Sequence, residues 1–250
     1  MKKGKEKILN LIMPIVSVAI IFLVWTIASL RIGSEYILPS IKQTAIEFFK
    51  LFKSGEFYIS LGYTVIRSII AFVFSFALAF VLVVLSKKVK YAKGLIKPLV
   101  GIMRALPTIA IVLLLLFWTT SNIAPIVVTT IVVAPTLYTH IESAFFTLDK
   151  NIAEAGRVDG ADEKAVFCKI ELPQILPSIY TGIGSGISLN FKLMVAAEVI
   201  SQTAKSIGFI LNTSKVYFEV AKMLALVCVV VILCIIIESI FNHLARKAKI

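Results

Sequence analysis

Between Leu11 and Leu30 the chain carries no Asp, Glu, Lys or Arg, and the same holds from Ser68 to Ser86 and from Ala105 to Ile141. Two further apolar runs, Ser178–Ile200 and Met223–Phe241, are interrupted only by Lys192, Glu198 and Glu238. About 20 apolar residues suffice to cross a hydrocarbon core of about 30 Å. An open chain satisfies its backbone polar groups there only as helix. The third run is too long for one crossing, and "TTSNIAP" (Thr119–Pro125) divides it into two. These runs predict an all-α membrane protein with six transmembrane helices in a single domain, 1–250. Composition agrees: 59% of residues are hydrophobic and 16% charged, against about 45–50% and about 25% in soluble domains.

The formal net charge of +12 would point to nucleic acid in a soluble protein. Here the basic residues cluster beside apolar runs, which is the signature of membrane topology, and no nucleic-acid partner is expected. With the N-terminus inside, seventeen of them fall on the cytoplasmic side: Lys2, Lys3, Lys5, Lys7, Lys87, Lys88, Lys90, Lys93, Lys97, Arg104, Lys150, Arg157, Lys164, Lys169, Arg246, Lys247 and Lys249. Seven fall opposite: Arg31, Lys42, Lys50, Lys53, Lys205, Lys215 and Lys222. The asymmetry predicts cytoplasmic N- and C-termini. "MKKGKEKILN" followed by an apolar run resembles a leader, but the run exceeds the 7–15 residues of a signal core and no A-x-A site follows. It is read as a retained first span. On the outer side, Ile41, Ala45, Phe48, Phe49 and Phe52 recur at helical spacing, predicting a short helix at the membrane surface or packed on the bundle.

No enzyme constellation is present. G-x-x-x-x-G-K-[ST] is absent, so the chain has no phosphate-binding loop for ATP. No Ser–His–Asp set is spaced for use, and no catalytic residue is expected. His140 and His243 form no metal motif, and Cys168, Cys228 and Cys234 contain no C-x-x-C; they read as reduced packing residues and no metal is expected. Gly182 and Gly186 in an apolar helix fit a close helix–helix contact of the small-xxx-small kind. Pro98, Pro107, Pro125 and Pro135 break or bend helices around the third and fourth spans.

One stretch departs from the apolar background. "EAGRVDGADEKAVFCKIELP" (Glu154–Pro173) lies in the longest inside loop, about residues 142–177, which is also rich in acids. Asp149 or Asn151 can cap a short helix through Ile152–Val158. Gly160 can supply the left-handed turn that ends it, Asp162 can cap a second helix, and Pro173 can stop that one. Glu154, Arg157, Asp159, Asp162 and Glu163 are then left for a partner. A solvated connector that touches nothing is the plainer alternative.

The segment resembles the cytoplasmic signature of binding-protein-dependent ABC importer permeases: E-A-A or E-A-G, three residues, G, nine residues, I-x-L-P. Here Glu154, Ala155 and Gly156 precede Gly160 by that spacing, and Ile170, Leu172 and Pro173 close the pattern. "ILPS" (Ile37–Ser40), "KSGEFYISLGYTVIR" (Lys53–Arg67), "MRALPTIAI" (Met103–Ile111) and "FKLMVAAEVI" (Phe191–Ile200) are similar to the branch that imports nitrate, sulfonates, taurine and related solutes or vitamin precursors. The resemblance implies a five-helix permease core, about residues 60–245, plus a peripheral first helix in a bacterial inner membrane. It implies a coupling helix built on Glu154, Ala155, Gly156, Gly160, Ile170, Leu172 and Pro173. It also implies a cytoplasmic P-loop ATPase dimer holding the ATP and magnesium, an extracytoplasmic solute-binding protein and a second permease copy. The competing reading is a membrane sensor or scaffold that docks an ATPase without transport.

Lys192 and Glu198 each cost about 2.5–3.5 kcal/mol near the centre of a span. Six residues apart, they do not share one helix face. They either line the translocation path or pair structurally, with Arg67 or across a dimer.

Overall fold

The computed structural model describes residues 2–89, 91–146, 148 and 150–248. Lys90, Asp149 and Lys249, named above, lie outside the described residues. The helices are α1 (Lys2–Ile32), α2 (Ile41–Leu51), α3 (Gly55–Lys88), α4 (Ala92–Ala105), α5 (Thr108–Trp118), α6 (Ala124–Phe146), α7 (Lys150–Val158), α8 (Glu163–Val166), α9 (Leu172–Ser201), α10 (Ile207–Val216) and α11 (Val220–Lys247). Phe167–Glu171 forms a π-helical turn between α8 and α9. Among the described residues five helical stretches are long and apolar enough to cross a membrane, and α4 with α5 makes a sixth if the bent pair counts as one span.

The third span breaks at Pro107, one of the prolines expected to break or bend helices there, and is preceded by α4, which the apolar run did not include. Pro107 forbids helix at the residue before it, and Leu106 is extended (φ −66°, ψ 126°). The axis turns by 93° between α4 and α5. The eleven residues of α5 reach only about 16 Å at 1.5 Å per residue, roughly half the hydrocarbon core. The preceding α4 buries only Ile96 and Val100. Its Arg104 guanidinium donates to the Pro135 carbonyl at 3.3 Å and to the Thr139 hydroxyl. The break at "TTSNIAP" falls where expected, with the Ile123 and Ala124 amides closing a turn on the Thr120 carbonyl, both at 3.0 Å.

The chain groups into two compact units, Met1–Tyr58 with Ile210–Val229 and Ile59–Phe209 with Val230–Ile250. In the first, the apolar residues of α1 from Ile12 onward are almost all exposed, as suits a helix whose partner is lipid. Its Trp25 indole donates to the Pro39 carbonyl at 3.0 Å and its Ser29 hydroxyl to Leu38 at 3.2 Å, holding the turn into α2. Ser40 caps α2 in a capping box with Gln43. The helix predicted on the outer side is therefore present, but its buried positions are Thr44 and Leu51, while Phe49 and Phe52 stay exposed.

In the second unit the core forms around α6 and α9, joined by part of α3. Phe72 and Phe76 pack with Ala79, Leu82, Val83, Val133, Leu137 and Tyr138. Gly182, Gly184 and Gly186 make α9 thin enough for this. A Cβ at Gly182 would lie 2.9 Å from His140 Cβ, one at Gly186 2.5 Å from Leu137 Cδ2, and one at Gly184 2.5 Å from Phe241 Cβ. α9 thus presents bare backbone to α6 at Gly182 and Gly186 and to α11 at Gly184.

Candidate functional site

The polar loop begins with α7, ended by a glycine motif. Gly160 has φ +86°, its amide donates to the Arg157 carbonyl at 3.1 Å, and the Ala161 amide reaches back to Gly156 at 3.0 Å. This pair of bonds is a Schellman cap with Gly160 at its left-handed position. α7 starts at Lys150, so Asn151 lies inside the helix rather than capping it. Asp162 caps α8, its carboxylate accepting from the Ala165 amide at 3.0 Å.

The nine-residue spacing after Gly160 has a geometric cause. The chain returns through α8 and the π-turn so that Ile170 packs over Gly156: a Cβ on Gly156 would lie 2.5 Å from Ile170 Cδ1. Two anchors of the motif therefore touch, and an alanine at Gly156 would need only the Ile170 Cδ1 methyl to move aside. Pro173 does not stop the helix as expected. It sits at the start of α9, directly after the π-turn, and costs that continuous helix one backbone hydrogen bond. The widened π-turn of Phe167–Glu171 absorbs the remaining mismatch, and helix runs on from Glu163 to Ser201. Leu172 opens α9.

The charges divide into internal and available. Arg157 Nε donates to Glu163 Oε1 at 2.7 Å and Nη2 to Glu163 Oε2 at 3.1 Å, with Glu171 at 3.7 Å. Hydrogen bonding to Arg157, then its charge, holds the Glu163 carboxyl below the usual carboxylate range. Bonding to Glu163 raises the Arg157 guanidinium further. Arg157, Asp162 and Glu163 are thus engaged within the loop, a correction to the reading that left them for a partner; short-range loop closure was invisible in the linear order. Glu154 and Ala155 are exposed, beside an apolar strip of Ile152 and Val158, the latter 86% exposed.

Lys192 and Glu198 occupy different surroundings. Lys192 is half exposed, 4.0 Å from Glu238 on α11. Glu198 is fully buried and accepts from Arg67 Nη1 at 3.1 Å, the Thr64 hydroxyl at 2.9 Å and the Gly208 amide at 3.4 Å. Arg67 Nη2 donates to Asn122 Oδ1 at 3.1 Å and to the Ala204 carbonyl at 3.3 Å. This cluster joins α3, the turn before α6 and the segment after α9. That segment leaves α9 through left-handed Gln202 and Lys205, with φ of 51° and 50°. Arg67 was legible as a partner for Glu198. Thr64, Asn122 and Gly208 were not, since a threonine, an asparagine and a glycine in apolar surroundings carry no signal of their own.

With this geometry in view, comparison with known proteins is decisive. Residues 84–250 match the model of the binding-protein-dependent transport system inner membrane component family. The chain belongs to that family. It is a permease subunit of ABC importer type. The permease is 23% identical over 232 residues to the taurine transport system permease protein TauC of Escherichia coli strain K12, covering 89% of this chain and 83% of the relative. It is 21% identical over 231 residues to the putative aliphatic sulfonates transport permease protein SsuC of Bacillus subtilis strain 168, covering 92% and 83%. In fold it is similar to a chain of an amino acid ABC transporter crystallised with histidines (TM-score 0.66, 14% identity, 81% of this chain and 96% of that one). It is also similar to a chain of a bacterial alginate ABC transporter in complex with its pentasaccharide-bound periplasmic protein (TM-score 0.62, 17% identity, 99% and 96%).

Proposed function

We propose that this permease moves a small solute, a sulfonate, taurine, nitrate or similar anion or a vitamin precursor, into the cytoplasm by ATP-driven alternating access. A dimer of P-loop ATPases holds the ATP and magnesium, and the permease itself contributes no cofactor and no catalytic residue. A solute-binding protein delivers cargo on the other side, and two permease copies form the path. Both termini are cytoplasmic. The observation that carries this reading is the α7–α8 loop: a capped, internally paired projection whose exposed remainder is Glu154 with an apolar strip. Its Glu154 pairs with a basic residue of the ATPase while Ile152, Ala155 and Val158 enter the docking cleft. The 39-residue helix from Glu163 to Ser201 carries that contact into the membrane. The sulfonate and taurine relatives support the solute class. Lys192, half exposed within α9, is the residue assigned to the path; Glu198 takes part only if its cluster opens during transport.

The test is a pull-down from detergent-solubilised native membranes with wild type and Glu154→Lys, followed by mass identification. A P-loop ATPase at one copy per permease, depleted by the variant, is the expected result. Recovery of no ATPase under conditions that preserve other transporter complexes would sink the importer mechanism. ATPase binding without uptake of labelled solute would favour the sensor or scaffold reading.

A further inference from the structure

At the end of the bundle that carries the α7–α8 loop, α6, α9 and α11 diverge around an open cavity of about 560 Å³. Its polar lining is His140 and Ser143 from α6, Ser178 and Thr181 from α9, and Asn242 and Arg246 from α11. No carboxylate lines it among the described residues. Ser143 and Thr181 donate their protons to the carbonyls of His140 and Pro177, at 2.9 and 3.0 Å. The side chains of His140, Ser178, Asn242 and Arg246 have no hydrogen-bond or ion-pair partner among the described residues. Gly182 lets α6 and α9 close to backbone distance beneath the cavity, which fixes its floor.

An arginine has five N–H donors, no acceptor and a permanent charge. Set in a cavity without acids, beside an amide and a hydroxyl, it forms a receptor for a tetrahedral oxyanion. The nearest acid along α11, Glu238, lies in the adjoining recess with Ser239, His243 and Arg246. It is matched there by Lys192, so the Arg246 charge is not consumed. On the face of α11 that carries Asn242 and Arg246, Val231 and Ile235 are exposed, an apolar track that leads from the adjoining recess into the membrane. Basic pockets between membrane helices next to an anionic leaflet hold phospholipid head groups, and the volume falls in the range of ligand pockets, about 300–1,000 Å³.

We propose that this cavity binds the phosphate of an anionic phospholipid. Arg246 forks onto two phosphate oxygens, Asn242 and Ser178 donate beside it, and the acyl chains lie along Val231 and Ile235. The site does not depend on the transported solute or on the ATPase, so it stands or falls independently of the proposed function.

The experiment is native mass spectrometry of the purified permease with its co-purifying subunits, titrated with phosphatidylglycerol, with phosphatidylcholine and with inorganic phosphate. One phosphatidylglycerol per permease chain is expected, with phosphatidylcholine held more weakly and inorganic phosphate not displacing the lipid. Arg246→Gln should weaken phosphatidylglycerol about tenfold or more, the size of a lost hydrogen bond to a charged group. Lys247→Gln, which removes a neighbouring charge outside the cavity, should leave it unchanged. If Arg246→Gln does not fold, Arg246→Lys serves instead; it keeps the charge, loses the fork, and should show intermediate affinity. Equal losses from the Arg246 and Lys247 variants, or equal retention of both lipids, would reduce the binding to unspecific surface or annular lipid. Displacement of the lipid by millimolar phosphate would reassign the cavity to a free oxyanion. Either result overturns the proposal.

Discussion

Arg67 and Glu198 stand 131 positions apart in the chain, yet their guanidinium and carboxylate meet at 3.1 Å with the acid wholly enclosed. Removing one partner of a buried pair leaves an uncompensated charge, which costs about 3–5 kcal/mol. Glu198→Leu and Arg67→Met should each lower the thermal midpoint of the purified permease strongly. The double variant should be more stable than the sum of the singles implies, as a double-mutant cycle would read directly. Additive losses would show that the two side chains do not act as a pair.

Glycine positions separate packing from conformational freedom. At Gly208 a Cβ would lie 2.6 Å from the Val199 backbone nitrogen, and at Gly186 2.5 Å from a leucine methyl. Backbone cannot yield as a side-chain end can. Gly208→Ala should therefore destabilise more than Gly186→Ala, for which about 1–3 kcal/mol is expected. At Gly62, inside α3, nothing lies within 4 Å, and alanine there should be neutral or stabilising by about 0.5–1 kcal/mol. Thermal midpoints of the three variants check the order.

The loop caps can be weakened without touching the bundle. Gly160→Ala places a side chain at φ +86°, a cost of roughly 1–2 kcal/mol for an L-residue in the left-handed region. Asp162→Ala removes the α8 cap, about 1 kcal/mol. Both should speed protease cutting between residues 150 and 171 and reduce ATPase recovery, with the global melting temperature unchanged. A fall in global stability equal to that of the core variants would mean that the loop folds as part of the bundle.

The Arg157–Glu163 pair gives the loop a predictable response to acid. The Glu163 carboxyl is lower in the folded loop than in the unfolded chain. Its contribution is therefore fully present above the unfolded value of about 4.3, and is lost as pH falls through the depressed folded value. Loop protection from an acid-active protease should be flat from pH 8 to 5 and decline below about 4. Because the pair is exposed, the contribution should also shrink with added salt. Glu163→Gln should remove this component of the pH response; an unchanged profile in that variant would assign it to another carboxylate.

The membrane helices were visible in the chain because lipid enforces a single solution on a long apolar run. Their ends were not. α3 begins at Gly55, thirteen residues before the apolar run at Ser68, because amphipathic helix continues where the lipid constraint stops. The bend at Leu106–Pro107 was readable from Pro107 alone: hydropathy is blind to a change of axis, and the proline marked the break without giving its 93°. In the loop, local chemistry was readable at Gly160 and Asp162, where backbone conformation and capping are decided within three residues. The pairing of Arg157 with Glu163, the packing of Ile170 on Gly156 and the gathering of Thr64, Asn122 and Gly208 about Glu198 depend on tertiary return of the chain, which spacing does not encode.

The unbroken helix from Glu163 to Ser201 has a mechanical meaning. At 1.5 Å per residue its 39 residues form a rod of roughly 58 Å. Pivoted near its middle, a tilt of about 5° would swing each tip by roughly 2.5 Å, in opposite directions. A proline that ended the helix at residue 173 would have placed a joint between handle and shaft. Because helix continues through it, a displacement of the loop would reach Glu198 along one continuous helix, with the π-turn at Phe167–Glu171 and Pro177 as the two places where that helix can bend.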